Sequence, residues 1–456
     1  MQFQQKIFML NFYDIFSKCL TKQGVLKYNK AYITLHNFFL QGKTFKTKQL
    51  FLKGRENHMK YIVVLCDGAA DTPVPELGGK TPLEVAKKPN IDHLSKGGEL
   101  GMVKTVPEGL PPGSDVANLA VFGYDPLKYY TGRSPLEAMS MNVPLVLSDT
   151  TFRTNLVTLS DEENYEDKTM VDYSSDEISS EEASILIEAV NKELKTEEYE
   201  FFSGISYRHL LVWHNKENDF SLTPPHDISD RKITEYLPSD ETILSLMKRS
   251  HEILKDHPVN KDREKRGLHP ANSIWIWGNG TKPDLDLYKD KFGLSGAVIS
   301  AVDLIKGIGK CAGLDVIDVE GATGTVHTNF DGKAKASIDA LKGGADFVYI
   351  HLEGADEAGH RKEIENKVRA IELIDEKIVA PLLSYLEEAG EEYNILVMPD
   401  HPTPLAIRTH TSDPIPYLIY RSKGDAASGL SYTEANAKET GIYIENGFEI
   451  MKKLLS

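Results

Sequence analysis

Lys60-Tyr61-Ile62-Val63-Val64-Leu65-Cys66-Asp67-Gly68 is the stretch that decides the fold class. Residues 61–66 are uniformly apolar or aromatic, with no alternation of polar and apolar positions. A strand of that kind is buried on both faces, as in a parallel sheet. Runs at 297–300, 314–319, 347–352, 394–398 and 416–420 read the same way, as further buried parallel strands. Helical stretches separate most of them, among them 333–341, stopped by Gly343-Gly344, and 362–389. Strands alternating with helices predict a doubly wound, mostly parallel α/β sheet with helices on both faces.

Residues 148–271 break this pattern. They hold acidic runs such as Asp161-Glu162-Glu163-Asn164-Tyr165-Glu166-Asp167, one helix-like stretch near 181–194 and short strands such as 209–213. The expectation is a smaller α+β domain inserted into an α/β domain made of residues 59–147 and 272–456. Such an insert at the sheet's carboxyl edge can close over a site as a lid.

Composition narrows the class. Hydrophobic residues make up 41% of the 456 and charged residues 26%, which suits a soluble globular protein with a large core. A net charge of -16 argues against nucleic acid as a partner. Cys19, Cys66 and Cys311 are odd in number and widely spaced, so a reducing cytoplasm fits better than a disulfide framework. No apolar run approaches the roughly 20 residues of a membrane span. Residues 1–58 differ from the rest, with ten basic side chains against Asp14 and Glu56. They lack the apolar core and cleavage site of a secretory signal. They read as an extension upstream of a start at Met59, or as a disordered basic arm.

In open α/β sheets, ligands bind beyond the carboxyl ends of the strands. Three strands deliver acids there. One ends at Asp67, one runs into Glu353-Gly354-Ala355-Asp356-Glu357-Ala358-Gly359-His360, and one into Pro399-Asp400-His401-Pro402. Asp356 and His360 are four apart, on one face of a helical first turn. Asp400 and His401 are adjacent, and the turn favoured by Pro402 lets both reach one site. Each residue alone fits a helix cap, a turn or a solvated side chain. His410, in Arg408-Thr409-His410-Thr411, means little by itself. Jointly, the acids and imidazoles at matching strand ends point to a dinuclear metal site, and carboxylate plus imidazole suits Mn²⁺, Zn²⁺ or Co²⁺. Ser114 follows the loop Gly109-Leu110-Pro111-Pro112-Gly113 and opens a helix. It reads equally as an N-cap or as a nucleophile at a phosphate-binding helix terminus.

Longer motifs carry a family resemblance. Gly113-Ser114-Asp115-Val116-Ala117-Asn118-Leu119, Gly123-Tyr124-Asp125-Pro126 and Tyr130-Thr131-Gly132-Arg133-Ser134-Pro135-Leu136-Glu137-Ala138 resemble the archaeal-type cofactor-independent phosphoglycerate mutases. So do Asp356-Glu357-Ala358-Gly359-His360, Pro399-Asp400-His401-Pro402-Thr403-Pro404 and Arg408-Thr409-His410-Thr411-Ser412-Asp413-Pro414. The resemblance runs from Met59 to near the C-terminus. It implies an alkaline-phosphatase-like fold and interconversion of 2- and 3-phosphoglycerate, a small phosphorylated hydroxy acid, through a phosphoserine at Ser114. It implies Asp356, His360 and His410 as ligands of one metal, and Asp67, Asp400, His401 and the Ser114 oxygen as ligands of the other. The metals implied are two divalent ions, Mn²⁺ first with Mg²⁺, Co²⁺ or Zn²⁺ as alternatives, and no 2,3-bisphosphoglycerate. On the substrate side Arg208, in Ser206-Tyr207-Arg208-His209, resembles an arginine of the family's cleft. Arg133, Lys282 and Arg231 are further candidates. His209, His226 and Asp227 are candidates for moving a proton. Two positions depart from the pattern: Ala355 stands where many relatives carry Pro, and Ser134 where they carry Gly. A homoserine kinase of the same branch, or a phosphatase of the superfamily, would share the metal and nucleophile motifs.

Overall fold

Alternate residues of β1 (Lys60–Cys66) point into two different cores. Ile62, Val64 and Cys66 enter one, Val63 and Leu65 the other, and all five are buried. The computed structural model describes residues 59–424 and 426–456, and the expectation for residues 1–58 lies outside the described residues. The remaining strands are β2 (Glu99–Val103), β3 (Thr150–Leu159), β4 (Met170–Asp172), β5 (Tyr199–Ile205), β6 (Arg208–Trp213), β7 (Ser273–Thr281), β8 (Gly296–Ile299), β9 (Asp315–Ile317), β10 (Phe347–Leu352), β11 (Tyr393–Met398), β12 (Ile415–Arg421) and β13 (Tyr443–Ile444).

Eight of them form one sheet in the order β13-β2-β12-β11-β1-β10-β8-β9. The run from β11 to β9 is parallel throughout. β10 and β11 repeat the division seen in β1, with Val348, Ile350, Ile395 and Val397 on one side and Phe347, Tyr349, Leu396 and Met398 on the other. Helices Phe330–Gly343, Ile364–Ile374 and Ala380–Ala389 cover the first face, and helices Ser114–Val121 and Asp303–Cys311 the second. This is the doubly wound α/β fold. Because β11, β1 and β10 are adjacent and parallel, their carboxyl ends emerge side by side, about 4.8 Å apart.

One strand runs against expectation. β12 is antiparallel to both β11 and β2. The apolar run 416–420 shows burial but not direction. A parallel return needs a helical crossover, whereas residues 399–414 contain no helix and turn straight back. That turn carries Asp400, His401 and His410, so β12 starts where the acids stand.

The second sheet is antiparallel, in the order β4-β3-β6-β5, with β7 also on β3. β7 lies beyond the boundary expected at 271, so the inserted sheet closes only at Thr281. Helices Ser180–Leu194 and Glu241–Leu254 bury its outer face. Leu210 and Val212 on its inner face pack with Ala138 of helix Ser134–Ser140.

Register within β6 separates two neighbouring candidates. Arg208 shares the inner face with Leu210 and Val212, whereas His209 pairs with Thr154 and faces the outer core with Leu211. His209 is buried there, its Nδ1 accepting from the Gly204 N–H at 3.0 Å. The expectation of a substrate-side His209 is therefore corrected: a one-residue step turns it away from the cleft. Burial lowers its pKa from 6.5 to about 3. Below pH 6.5 the unfolded chain takes up a proton that the folded chain refuses, so stability is lost on acidification. His209→Gln should flatten the acid limb of stability against pH by up to about 1.4 kcal/mol per pH unit, read from urea unfolding.

Candidate active site

β10 runs directly into helix Gly354–Arg361, placing Asp356 in its first turn and His360 one turn on. Asp356 Oδ2 lies 3.3 Å from His360 Nε2, and Oδ1 lies 3.3 Å from His410 Nε2. The two Nε2 atoms are 2.8 Å apart. His360 Nδ1 donates to the Arg408 carbonyl at 3.0 Å, and His410 Nδ1 to the Pro112 carbonyl at 3.3 Å. With the protons held on Nδ1, both Nε2 atoms present lone pairs to each other. Lone pairs that close repel unless a cation lies between them. Burial opposes ionisation of Asp356, yet the two imidazoles, when protonated on Nε2 as well, hold it well below the usual carboxylate range.

The second group surrounds His401. Its Nε2 stands 3.1 Å from Ser114 Oγ, 3.4 Å from Asp400 Oδ2 and 3.8 Å from Asp67 Oδ1. Thr403 Oγ1 donates to Asp356 Oδ1, so it accepts from His401 Nδ1 at 3.3 Å, again leaving Nε2 bare. Both oxygens of Asp67 are buried without a hydrogen-bond partner. Burial, then the charges of Asp400 and Asp356, push Asp67 well above the usual carboxylate range. A buried acceptor so placed calls for a positive partner. The donor set, carboxylate and imidazole around orphaned oxygens, fits divalent metal. His401 also lies near Asp356 and His410, so the two groups abut.

Ser114 does not cap its helix. Gly113 holds the N-cap position, and Ser114 opens helix Ser114–Val121. Asn118, one turn on, donates to the Ser114 carbonyl and to Asp400 Oδ2, both at 2.8 Å. It ties Ser114 to Asp400. Two further residues allow the close packing. Gly68 has φ +63, and a Cβ there would fall 2.6 Å from Asp356 Cα. Lys367, fully buried, donates to Asp71 Oδ2 and the Thr403 carbonyl, both at 2.7 Å, clamping the loops that carry Asp67 and His401.

The substrate-side candidates scatter. A cavity of about 560 Å³ is lined by Asp115, the residue after Ser114, and by Tyr130, Arg133, Arg153, Asn218 and Trp277. Arg133 is there as expected, its Nε 3.2 Å from Glu137 Oε1. Arg153 was not anticipated from the sequence. Its Nε lies 3.1 Å from Glu137 Oε2, and its guanidinium stacks 4.4 Å over Trp277. Its signal was a lone arginine in an otherwise uncharged strand, Thr150-Thr151-Phe152-Arg153-Thr154-Asn155. Arg208 is exposed on the same sheet face, 5.7 Å from the Tyr207 ring. His226 meets the Trp277 ring edge-on, beside its neighbour Asp227. Lys282 turns away to the Leu145 carbonyl, and Arg231 bonds the Tyr236 hydroxyl. Neither lines the cavity.

A family model described as 2,3-bisphosphoglycerate-independent phosphoglycerate mutase matches residues 95–260. A relative from Geobacter sulfurreducens, described as a probable 2,3-bisphosphoglycerate-independent phosphoglycerate mutase, is 49% identical over 87% of this chain and 100% of its own. The chain belongs to the 2,3-bisphosphoglycerate-independent phosphoglycerate mutase family. A Methanosarcina acetivorans mutase of that description is also 49% identical, over 84% of this chain and 96% of its own. A solved protein from Pyrococcus horikoshii shares 30% identity with a TM-score of 0.71, covering 87% of this chain and 97% of its own. A cofactor-independent phosphoglycerate mutase from Thermoplasma acidophilum, at 24% identity and TM-score 0.61, shares the fold over 87% of this chain and 99% of its own. No helix among the described residues is long and apolar enough to cross a membrane.

Removing the Lys367 clamp should separate the phosphoglycerate-mutase site from its scaffold. Lys367→Met leaves Asp71 buried without its counter-charge, at a cost of about 3–5 kcal/mol. Denaturant unfolding at neutral pH reads this, and an unchanged midpoint would refute the clamp.

Proposed function

We propose that the chain interconverts 2-phosphoglycerate and 3-phosphoglycerate through a phosphoserine at Ser114, without 2,3-bisphosphoglycerate. The observation that carries this reading is Ser114 Oγ at a helix N-terminus, 3.1 Å from His401 Nε2 and in one cluster with Asp67 and Asp400. Asp356, His360 and His410 would hold one divalent ion, and Asp67, Asp400, His401 and Ser114 Oγ the other, with Mn²⁺ favoured and Mg²⁺, Co²⁺ or Zn²⁺ as alternatives. The chemistry such ions supply is a lowered pKa for the serine hydroxyl and neutralised phosphoryl oxygens.

The chain's own groups do the rest. Val116 N–H is taken by Asp115 Oδ1 and Ala117 N–H by the Gly113 carbonyl, which leaves the N–H groups of Ser114 and Asp115 at the opening of helix Ser114–Val121 for the incoming phosphoryl group. Asn118 fixes the serine backbone relative to Asp400. Ser114 Oγ attacks phosphorus in line, the P–O bond to the glycerate hydroxyl breaks, and the glycerate oxygen takes up a proton. Arg133 and Arg153, both steadied by Glu137, present guanidinium groups to the substrate's carboxylate and phosphate. The glycerate, retained under residues 148–281 acting as a lid, then presents its other hydroxyl to the phosphoserine. Holding it against water separates a mutase from a phosphatase.

Three outcomes check this. Wild-type protein with Mn²⁺ and 3-phosphoglycerate, and no nucleotide, should form 2-phosphoglycerate by ³¹P NMR. Release of inorganic phosphate alone would indicate a phosphatase, and inertness until ATP and homoserine are added would indicate a kinase. Ser114→Ala should abolish both turnover and the mass gain of one phosphoryl group, while Mn²⁺ binding persists through the remaining ligands. Arg153→Met should lower kcat/KM roughly tenfold or more, mainly through KM, as loss of a charged hydrogen bond to substrate requires.

A further inference from the structure

Two buried tyrosine hydroxyls fasten helix Ser114–Val121, one at Phe122 and one behind Asn118. Tyr288 Oη donates to the carbonyl of Phe122, the residue that ends the helix, at 2.9 Å. Tyr349, on β10, donates to Asn118 Oδ1 at 2.5 Å. Both phenols are fully buried, and burial above all pushes each well above its ordinary pKa, so both keep their protons. The Tyr349 ring lies nearly flat against that of Phe122, with centroids 4.0 Å apart.

The two bonds differ in what they control. Tyr288 meets a backbone carbonyl at the end of the helix away from Ser114. Tyr349 meets a side-chain amide, which has one donor end and one acceptor end. Nδ2 of Asn118 faces two acceptors, the Ser114 carbonyl and Asp400 Oδ2, both at 2.8 Å. Oδ1 therefore points the other way, and only a donor can stand behind it. Tyr349 is that donor. A reversed amide would set its oxygen against a carbonyl and a carboxylate. Without the hydroxyl, Oδ1 is a buried acceptor that has lost its donor, and the amide loses the bond that opposes its rotation.

We propose that Tyr349 is a positioning residue for phosphoryl transfer, acting through Asn118 to fix Ser114 against Asp400. The role rests on the reading of Ser114 as nucleophile. β10 then serves the site twice. Its carboxyl end delivers Asp356, and Tyr349, earlier on the strand, sets the helix of the nucleophile against the acid that follows β11. The guanidinium groups of Arg133 and Arg153 are held by Glu137 instead, so substrate binding does not depend on Tyr349.

Tyr349→Phe removes one oxygen and keeps the ring on Phe122. With Mn²⁺ and 3-phosphoglycerate, kcat should fall roughly ten- to hundredfold, as a slightly misplaced nucleophile requires, while KM stays within about twofold. Bound Mn²⁺, counted by plasma mass spectrometry, should stay at the wild-type number. Tyr288→Phe is the control for a merely structural hydroxyl: its urea midpoint should fall comparably, with kcat kept. Asn118→Leu removes the acceptor, and Tyr349→Phe added to it should lower kcat no further, because a residue acting only through Asn118 has nothing left to act on. A kcat kept in Tyr349→Phe, a KM that rises as kcat falls, an equal loss of kcat in Tyr288→Phe, or a further loss in the double variant overturns the role of Tyr349 and leaves the mutase reading standing. So does a Tyr349→Phe protein that fails to fold where Tyr288→Phe folds, since the hydroxyl is then structural. Wild-type protein that forms no 2-phosphoglycerate overturns both.

Discussion

Four carboxylates share one buried corner of this molecule, and most of the surrounding structure answers to their mutual repulsion. Asp67, Glu353, Asp356 and Asp400 stand at the ends of three adjacent parallel strands because the order β11-β1-β10 leaves them nowhere else to go. Two unit charges within 4.8 Å repel by roughly 3 kcal/mol at an effective dielectric of about 20. The protein offsets part of this with donors. Asp400 accepts the N–H groups of Gly68 and His401 and the amide of Asn118. Asp356 accepts the Thr403 hydroxyl, while the two imidazoles beside it turn bare Nε2 atoms toward it. Asp67 gains no hydrogen bond. Asp67 lies on the central strand of the three, where cations bridging both neighbours would stabilise most.

Rigid support follows from the same constraint. Ligands that repel stay converged only if their backbones cannot spread. Lys367 ties the loop after β1 to the loop after β11, and Gly68 lets β1 approach helix Gly354–Arg361 closer than any side chain would permit. The inserted sheet is joined to this scaffold through helix Ser134–Ser140. Glu137 on that helix holds Arg133 from one side and Arg153 from the other. Ser134, the residue that replaces glycine, is buried and reaches the Thr151 carbonyl of β3 at 3.0 Å. The insert and the α/β domain thus meet at the residues that line the cavity.

The site was legible in the sequence because its chemistry sits at strand ends, where an apolar run stopping at an acid is conspicuous. The five Asp and His residues singled out that way do converge, with His410 and Ser114 beside them. What escaped was whatever depends on direction or on pairing. An apolar run such as 416–420 reports burial on both faces, not parallel or antiparallel pairing. The boundary at 271 fell short of β7, whose apolar residues 274–277 pack in the insert. Arg208 and His209 looked like one motif, and a period of two sends them to opposite faces. Arg153 was passed over because a lone arginine inside a strand is a weak signal until its partners Glu137 and Trp277, distant in sequence, are brought to it.

The second departure from the family pattern shows why the ligands tolerate it. Ala355 occupies the second position of helix Gly354–Arg361 and is fully buried. Proline is welcome in the first turn because its missing N–H has no partner there in any case and its fixed φ already suits the helix. Replacing it with alanine restores an N–H that the helix does not use and leaves the backbone free to keep the same angles. Asp356 remains at the third position, its side chain pointing back over the first turn, and His360 remains one turn on. The spacing from β10 to Asp356, rather than the identity of the residue between, is what delivers this carboxylate to the corner. A change that lengthened or shortened that three-residue step would rotate Asp356 off the site.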